Sequence, residues 1–136
     1  MAYWLFKTEP SSYSFAQLER DGRTTWDGVA NALARKHLGA VTRGDRILIY
    51  HTGDEKAVVG IAVATSDAYP DPKAPGDARA VVVDVIPKHA LKRPVTLAEL
   101  KARPALARFP LVRLPRLSVM PVSATEWKEI ERLAKS

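Results

Sequence analysis

The side chains best suited to recognising a ligand in this sequence are aromatic and polar residues that stand beside turns. Trp26 occupies a polar, glycine-containing segment (residues 24–28) where a core tryptophan would be unusual. Tyr50-His51 ends one apolar run, and Lys7-Thr8-Glu9 ends another. Because binding sites concentrate at strand ends and loops of a rigid scaffold, these positions predict a recognition pocket.

Each of these residues also has a purely structural interpretation. Trp26 could fold back over the core, and Tyr50 could be a half-buried strand residue. Asn31 could simply cap the helix that follows it. The composition of the chain leaves these alternatives open.

Residue types that carry out covalent or metal chemistry are poorly represented. The chain has no Cys, which removes disulfides, thiolate zinc sites and cysteine nucleophiles. It has no Gly-x-Ser-x-Gly, Walker or Gly-x-Gly-x-x-Gly sequence. His51 near Asp45 and Asp54 is the best approximation to a metal site, and both aspartates are typical turn residues. We therefore expect no catalytic group, no metal and no cofactor.

The positive charge of the chain is concentrated in one segment. The 136 residues carry a formal net charge of +6. Residues 88–116 hold eight basic residues and one acid, whereas the remainder holds 13 basic and 14 acidic residues. Such a segment is either a solvated surface or one that faces a polyanion. Besides Arg116, the basic residues of this segment are Lys88, Lys92, Arg93, Lys101, Arg103, Arg108 and Arg113.

Short strands must position the candidate residues. Apolar runs predict five of them, at residues 3–7, 46–51, 57–64, 80–86 and 117–120. The second and third form a β-hairpin and, with the fourth, should make the centre of one curved sheet. Pro87 and Pro121 are expected to end the last two strands, and residues 24–28 are expected to form a loop.

Four short helices accompany these strands. Capping boxes predict helices after Ser14, Thr96 and Ser123, and Asn31 begins a helix that Gly39 ends. Mixed strands and helices of this length predict one α+β domain with a small curved or closed sheet. The N-terminus has no signal-peptide pattern, and no segment approaches the ~18 apolar residues of a membrane span. We expect a cytoplasmic location.

Several ordered motifs resemble those of the EVE-domain family. The opening Tyr-Trp-Leu-Phe-Lys-Thr-Glu-Pro (residues 3–10) resembles the family's first motif, and residues 26–35 resemble the second. Gly44-Asp45 followed by residues 50–53 resembles the third. Further matches follow in the family's order as far as Glu126-Trp127. The resemblance therefore covers residues 1–136 as a single EVE domain.

This resemblance implies a PUA-like fold, a small and strongly curved β-barrel with short helices at its sides. It also implies a non-enzymatic module that binds nucleic acid and holds a flipped, methylated or hydroxymethylated cytosine of DNA in a pocket. The chain departs from the family's pattern at Ala32, Leu33 and His37, and Ala80 stands where an aromatic residue is frequent. If that aromatic residue forms a pocket wall, this protein has lost it.

On this reading, Trp26 is the stacking surface, and neutral polar side chains read the edge of the base. The predicted base pocket consists of Trp26, Asn31, Tyr50, His51, Thr52 and Ser118. The predicted rim consists of Lys7, Thr8, Glu9, Arg35 and Arg116, of which the three cations would hold flanking phosphates. We expect Lys7 and Ser118 to meet at one cavity, and the protein to be a monomer.

Two other functions stay open. The ligand could be a modified RNA, although DNA is favoured. Less well supported is an enzyme acting on nucleic acid or a nucleotide, with Glu9 or His51 as general acid–base.

Overall fold

One mixed sheet surrounded by short helices makes up residues 1–135, the part of the chain that the computed structural model describes. The strands are β1 (Tyr3–Thr8), β2 (Thr24–Trp26), β3 (Arg46–His51), β4 (Ala57–Ala64), β5 (Tyr69–Pro70), β6 (Val81–Thr96) and β7 (Val119–Val122). The α-helices are α1 (Phe15–Asp21), α2 (Ala32–Gly39), α3 (Leu97–Lys101), α4 (Pro110–Arg113) and α5 (Ala124–Lys135), with a 3₁₀ turn at Pro104–Leu106. The predicted α+β class is confirmed, whereas β5, α4 and the 3₁₀ turn were not predicted.

The sheet curls into a half-barrel. Its strands run in the order β2-β6-β4-β3-β1-β7, and β5 pairs with β6. Although β6, β4 and β3 separate β2 from β1, the rings of Trp26 on β2 and Phe6 on β1 have centroids only 5.3 Å apart. The two strands reach this distance because the sheet folds round on itself. The predicted central strands β3, β4 and β6 are indeed neighbours.

Strand β6 is longer than the sequence predicts. It continues through Pro87 to Thr96, so the prediction that Pro87 ends the strand is wrong. Pro87 lies opposite Ala62, where the register between β4 and β6 shifts. A proline has no N–H to donate, and a bulge tolerates that loss while bending the strand.

Two edge strands also differ from expectation. Residues 24–26 are not a loop but a strand, β2, which pairs antiparallel with Val83–Val85 of β6. The last strand begins at Val119, later than predicted, and continues through Pro121 rather than ending before it. Because β7 is an edge strand, Pro121 can lack an N–H without breaking an inner ladder.

Side-chain caps begin the four helices that the sequence predicts. In each case a side-chain oxygen accepts an otherwise unpaired N–H of the first turn. The caps are Ser14 before α1, Asn31 before α2, Thr96 before α3 and Ser123 before α5. Helix α1 ends at Gly22, whose φ of 77° is the left-handed conformation that favours glycine.

A buried carboxylate ties β1 to the turn that precedes β3. Asp45 is 2% exposed and accepts hydrogen bonds from the indole N–H of Trp4 at 2.9 Å and the amide of Ala2 at 3.0 Å. It also accepts the amide of Thr42 at 2.9 Å. The sequence predicts that Asp45 is a turn residue. In the structure it also anchors the start of β1, the strand that carries Lys7.

Candidate functional site

A cavity of about 340 Å³ lies where the curl of the sheet brings β1 close to β2. We call it the Trp26 cavity. It is lined by Lys7, Thr8, Glu9, Tyr13, Thr24, Thr25, Trp26 and Asp27. Of the predicted pocket and rim residues, Trp26 and the Lys7-Thr8-Glu9 strand end therefore share one cavity.

Trp26 forms an apolar wall of this cavity and also belongs to the core. Its side chain is 8% exposed, tilted against Phe6 and edge-on to Tyr13, with ring centroids 6.5 Å apart in the second pair. The two interpretations that the sequence leaves open thus apply together. The ring covers the core, and its exposed remainder lines the cavity.

Glu9 is held at the rim as a hydrogen-bond acceptor. The Thr52 hydroxyl donates to its Oε2 at 3.0 Å, and the hydroxyl of the preceding residue, Thr8, donates to the Tyr13 carbonyl at 2.7 Å. Gly53 has a φ of 78°, and a Cβ there would lie 3.0 Å from the Glu9 carboxylate. The backbone turn at Gly53 therefore leaves room for this carboxylate.

A second cavity, of about 320 Å³, also has Lys7 in its lining. We call it the lysine cavity. Its lining residues are Lys7, Tyr50, Thr52, Gly53, Lys56, Leu97, Lys101, Leu111 and Pro115. Lys7 lines both cavities, so they are neighbours.

Lys7 is partly withdrawn from water. Its Nζ donates to the carbonyl oxygen of Pro115 at 2.8 Å and lies 5.8 Å from the centroid of the Tyr50 ring. Burial lowers the pKa of Lys7, and burial raises the pKa of Tyr50. Tyr50 is only 3% exposed, so its ring acts mainly as an aromatic surface beneath the ammonium group of Lys7.

His51 holds helix α1 in place instead of lining either of these cavities. Its Nε2 accepts the backbone amide of Phe15 at 3.0 Å, and its Nδ1 lies 2.7 Å from Oε1 of Glu55. Because an amide can only donate, Nε2 is unprotonated and the ring proton sits on Nδ1. Both ring nitrogens are therefore engaged.

Asn31 and Arg116 lie at a separate cavity of about 320 Å³, together with the exposed Leu33 and Leu114. The side-chain oxygen of Asn31 accepts the amide of Ala34 at 3.0 Å, so the structural interpretation of this residue holds. The predicted base pocket is thus not one cavity, because Trp26, Tyr50 and Asn31 line three different ones.

Arg35 and Ser118 also lie apart from the Trp26 cavity. Arg35 donates to the carbonyl of Val29 at 2.7 Å and forms an ion pair with Asp77 at 3.0 Å, which ties two loops together. Ser118 is a backbone neighbour of Lys7, whose amide donates to its carbonyl at 2.9 Å. Its side chain is absent from the lining of both cavities beside Lys7.

The basic segment is not a uniform surface. Arg93 pairs with Glu99 at 2.8 Å, and Arg103 pairs with Glu129 at 3.3 Å. The pKa of Glu99 falls to about 2, chiefly because Arg93 donates to it. The remaining predicted cations are exposed: Lys88, Lys92, Lys101, Arg108, Arg113 and Arg116.

The sequence interpretation misses several lining residues. Thr24 and Thr25 belong to a β-branched and aromatic run that could have indicated strand β2. Tyr13 and Lys56 carry no local signal, because their position beside the cavities depends on how the sheet curls. Within residues 1–135 no group of three or more His, Cys, Asp or Glu could hold a metal ion, and no helix there is long and apolar enough to cross a membrane.

Comparison with known proteins identifies the family of this chain. The EVE domain family model matches residues 2–133. The chain belongs to the EVE-domain family. Its half-barrel is accordingly the PUA-like fold that the sequence motifs imply.

Relatives of this EVE domain extend from bacteria to humans. Human thymocyte nuclear protein 1 is 30% identical over 93% of this chain and 71% of its own length. An NMR structure of a protein from Rhodopseudomonas palustris is 45% identical, with a TM-score of 0.92 over 99% of this chain and 94% of that one. The crystal structure of human THYN1 in complex with 5-methylcytosine-containing DNA is 26% identical, with a TM-score of 0.94 over 100% of this chain and 99% of that one.

Proposed function

We propose that this EVE domain binds DNA and reads a modified cytosine that has turned out of the helix into the Trp26 cavity. The observation that carries the proposal is the cavity itself, in which an indole wall stands beside an oriented carboxylate and an ammonium group. The similarity in fold to a relative whose structure contains 5-methylcytosine DNA supports it. The cavity volume of about 340 Å³ lies within the range of roughly 300–1,000 Å³ that small-molecule sites occupy.

The chemistry of the lining suits a cytosine. The exocyclic amino group of cytosine is a donor, and a carboxylate such as that of Glu9 is its natural acceptor. Trp26 offers the base a stacking partner worth about 1–3 kcal/mol. This contact, with the hydrogen bonds, must offset the few kcal/mol lost when a base leaves its stack.

We infer binding without catalysis. Both ring nitrogens of His51 have partners, so this histidine is not free to shuttle a proton to a substrate. Asp27 lines the Trp26 cavity together with Glu9, but its carboxylate lies 3.8 Å from the ammonium group of Lys73, and no histidine is among the residues that line this cavity. Incubation with modified oligonucleotides followed by mass spectrometry should return every oligonucleotide unchanged.

A panel of labelled oligonucleotides tests the binding proposal. The members are identical except for one central cytosine, which is plain, methylated or hydroxymethylated, and each is offered as single- or double-stranded DNA and as RNA. Fluorescence anisotropy should give the tightest binding to a modified DNA. Equal affinity for plain and modified DNA would refute base reading, and a preference for RNA would reassign the ligand, because a 2′-hydroxyl either fits or clashes.

A further inference from the structure

Three lysines from distant parts of the chain meet at the lysine cavity. Lys7 comes from the end of β1, Lys56 from the turn before β4, and Lys101 from the last turn of α3. No carboxylate is among the residues that line this cavity. Thr52 and Tyr50 complete a polar half, and the other half is apolar, formed by Leu97, Leu111 and Pro115.

The charge of these lysines is not balanced within the described chain. Across residues 1–135 the ion pairs to Asp and Glu involve other cations, and none of the three takes part in one. Glu9, the residue that follows β1, lines the neighbouring Trp26 cavity, and its carboxylate accepts the hydroxyl of Thr52, which lines the lysine cavity. Glu55 is engaged by His51. Cations gathered in a partly enclosed space repel one another unless an anion joins them.

The backbone at Lys56 is in an unusual conformation. Its φ is 46°, and it is the one residue other than glycine within 1–135 that has a positive φ. Its carbonyl accepts the amide of Leu97 at 2.8 Å, which ties this turn to the start of α3, the helix that carries Lys101. A non-glycine residue in this region is uncommon, and such conformations cluster at functional sites.

We propose that the lysine cavity binds a phosphate group, and that this phosphate is the one in the DNA strand next to the base held in the Trp26 cavity. The location in the strand rests on the proposed function, whereas the affinity for phosphate does not. Lys7 lines both cavities, so a nucleotide whose base contacts Trp26 would carry its backbone past the same ammonium group. Three donors on each ammonium group suit the several oxygens of a phosphate.

The first test measures phosphate binding without DNA. Backbone amide NMR shifts of Thr52 and Gly53 are followed as inorganic phosphate is added at constant ionic strength. Saturable shifts are expected in the native chain, and their loss in the double variant Lys56→Gln/Lys101→Gln. A matched control, Lys88→Gln/Lys92→Gln, removes two exposed lysines that do not line the cavity and should keep the response. Shifts that do not saturate, or that survive in the Lys56→Gln/Lys101→Gln variant, would overturn the proposal.

The second test locates the phosphate in the strand. A neutral methylphosphonate replaces one phosphate beside the modified cytosine, or, as a control, one phosphate several nucleotides away. At one of the two flanking positions the native domain should lose about tenfold in affinity, as expected for a charged hydrogen bond. The variant lacking Lys56 and Lys101 should lose less than the native domain at that position, because two of the three partner lysines are already missing.

The outcomes of the two tests separate the proposals. Suppose that, at both flanking positions, the methylphosphonate lowers the DNA affinity of the native domain and of the Lys56→Gln/Lys101→Gln variant by the same factor, while inorganic phosphate still binds saturably. The cavity would then be a site for a free anion, and its assignment to the strand would be overturned. Failure of all DNA binding would refute the proposed function, while the phosphate titration would still decide the anion site. Thermal melting of each lysine variant should match the native chain, since Lys56 and Lys101 are exposed.

Discussion

At the scale of single residues, Trp26 both lines the cavity and packs in the core, so one substitution changes DNA binding and stability together. Trp26→Ala should weaken binding of modified DNA by about five- to 150-fold, the equivalent of losing about 1–3 kcal/mol of stacking. Plain DNA, which can bind through its phosphates alone, should lose less. Anisotropy with both oligonucleotides measures the difference.

The structural role of Trp26 requires its own control. Because the indole packs on Phe6 and Tyr13, Trp26→Ala should also destabilise the fold by about 3–5 kcal/mol. Trp26→Phe keeps an aromatic ring and should retain most of the stability and part of the stacking. A folded Trp26→Ala domain with an unchanged preference for modified DNA would contradict the stacking role.

Asp45 gives stability a dependence on pH. Burial alone would raise the pKa of its carboxyl, but hydrogen bonds from Thr42, Ala2 and Trp4 outweigh burial and lower it. A carboxyl with a lowered pKa stabilises the fold above its unfolded pKa of about 3.9, and this contribution is lost as pH falls through the folded value. Urea unfolding between about pH 2 and pH 6 should therefore show stability falling on the acid side.

The matched variants separate Asp45 from other carboxyls. Asp45→Asn should lower stability near neutral pH and make its fall in acid shallower, because one of the carboxyls whose pKa is lowered in the fold is gone. Asp54→Asn, at an exposed turn, should leave the stability near neutral pH and its fall in acid nearly unchanged. An Asp45→Asn domain with the same acid profile as the native chain would show that other groups cause it.

At the scale of elements, the contact between α1 and β4 depends on a missing side chain. A Cβ at Gly60 would lie 2.5 to 2.6 Å from atoms of the Phe15 ring, which is too close for either group to stay in place. Gly60→Ala should cost about 1–3 kcal/mol through overpacking. Thermal melting measures the loss.

Two further variants check the cause. Gly39→Ala adds a methyl group where nothing lies within 4 Å and should be neutral or slightly stabilising. Adding Phe15→Leu to Gly60→Ala should recover part of the loss, since the smaller side chain makes room. If the two substitutions were simply additive, the close approach would not be the reason for the glycine.

The sequence predicts elements better than it predicts where they end. Strands β3 and β4 were predicted with their observed bounds because β-branched runs are flanked by turn residues. Pro87 and Pro121 misled the prediction because a proline ends a strand only when its N–H is needed, and a bulge or an outer edge removes that need. Whether such a relief exists depends on the partner strand, which local sequence does not specify.

At the scale of the whole molecule, the candidate site could be predicted only in part. Lys7, Thr8, Glu9 and Trp26 were predicted together because motifs and strand ends marked them, and the Trp26 cavity brings them together. Lys56 could not be found in this way. It lines one cavity with Lys7 and Lys101 because the sheet curls and α3 packs against it. The curl and the packing are tertiary features.

The distribution of charge predicts how binding should respond to salt. A protein that neutralises Z phosphates of duplex DNA loses affinity with a slope of about −0.9Z in log K against log salt concentration. Arg108→Ala and Arg113→Ala remove exposed cations, so each should weaken plain and modified DNA by similar factors. Each should also make the slope shallower by about 0.9 if its side chain contacts a phosphate.

Arg103 supplies the matched comparison for this last prediction. Its guanidinium is already paired with Glu129 at 3.3 Å, so less of its charge is available to a phosphate. Arg103→Ala should change the slope less than Arg108→Ala or Arg113→Ala does. Anisotropy titrations from about 50 to 200 mM salt, run on plain and modified duplexes, measure all three variants. If the affinity of the native domain did not depend on salt, the basic segment would be only a solvated surface. If the slope changed equally in all three variants, the ion pair with Glu129 would not decide which cations contact the DNA.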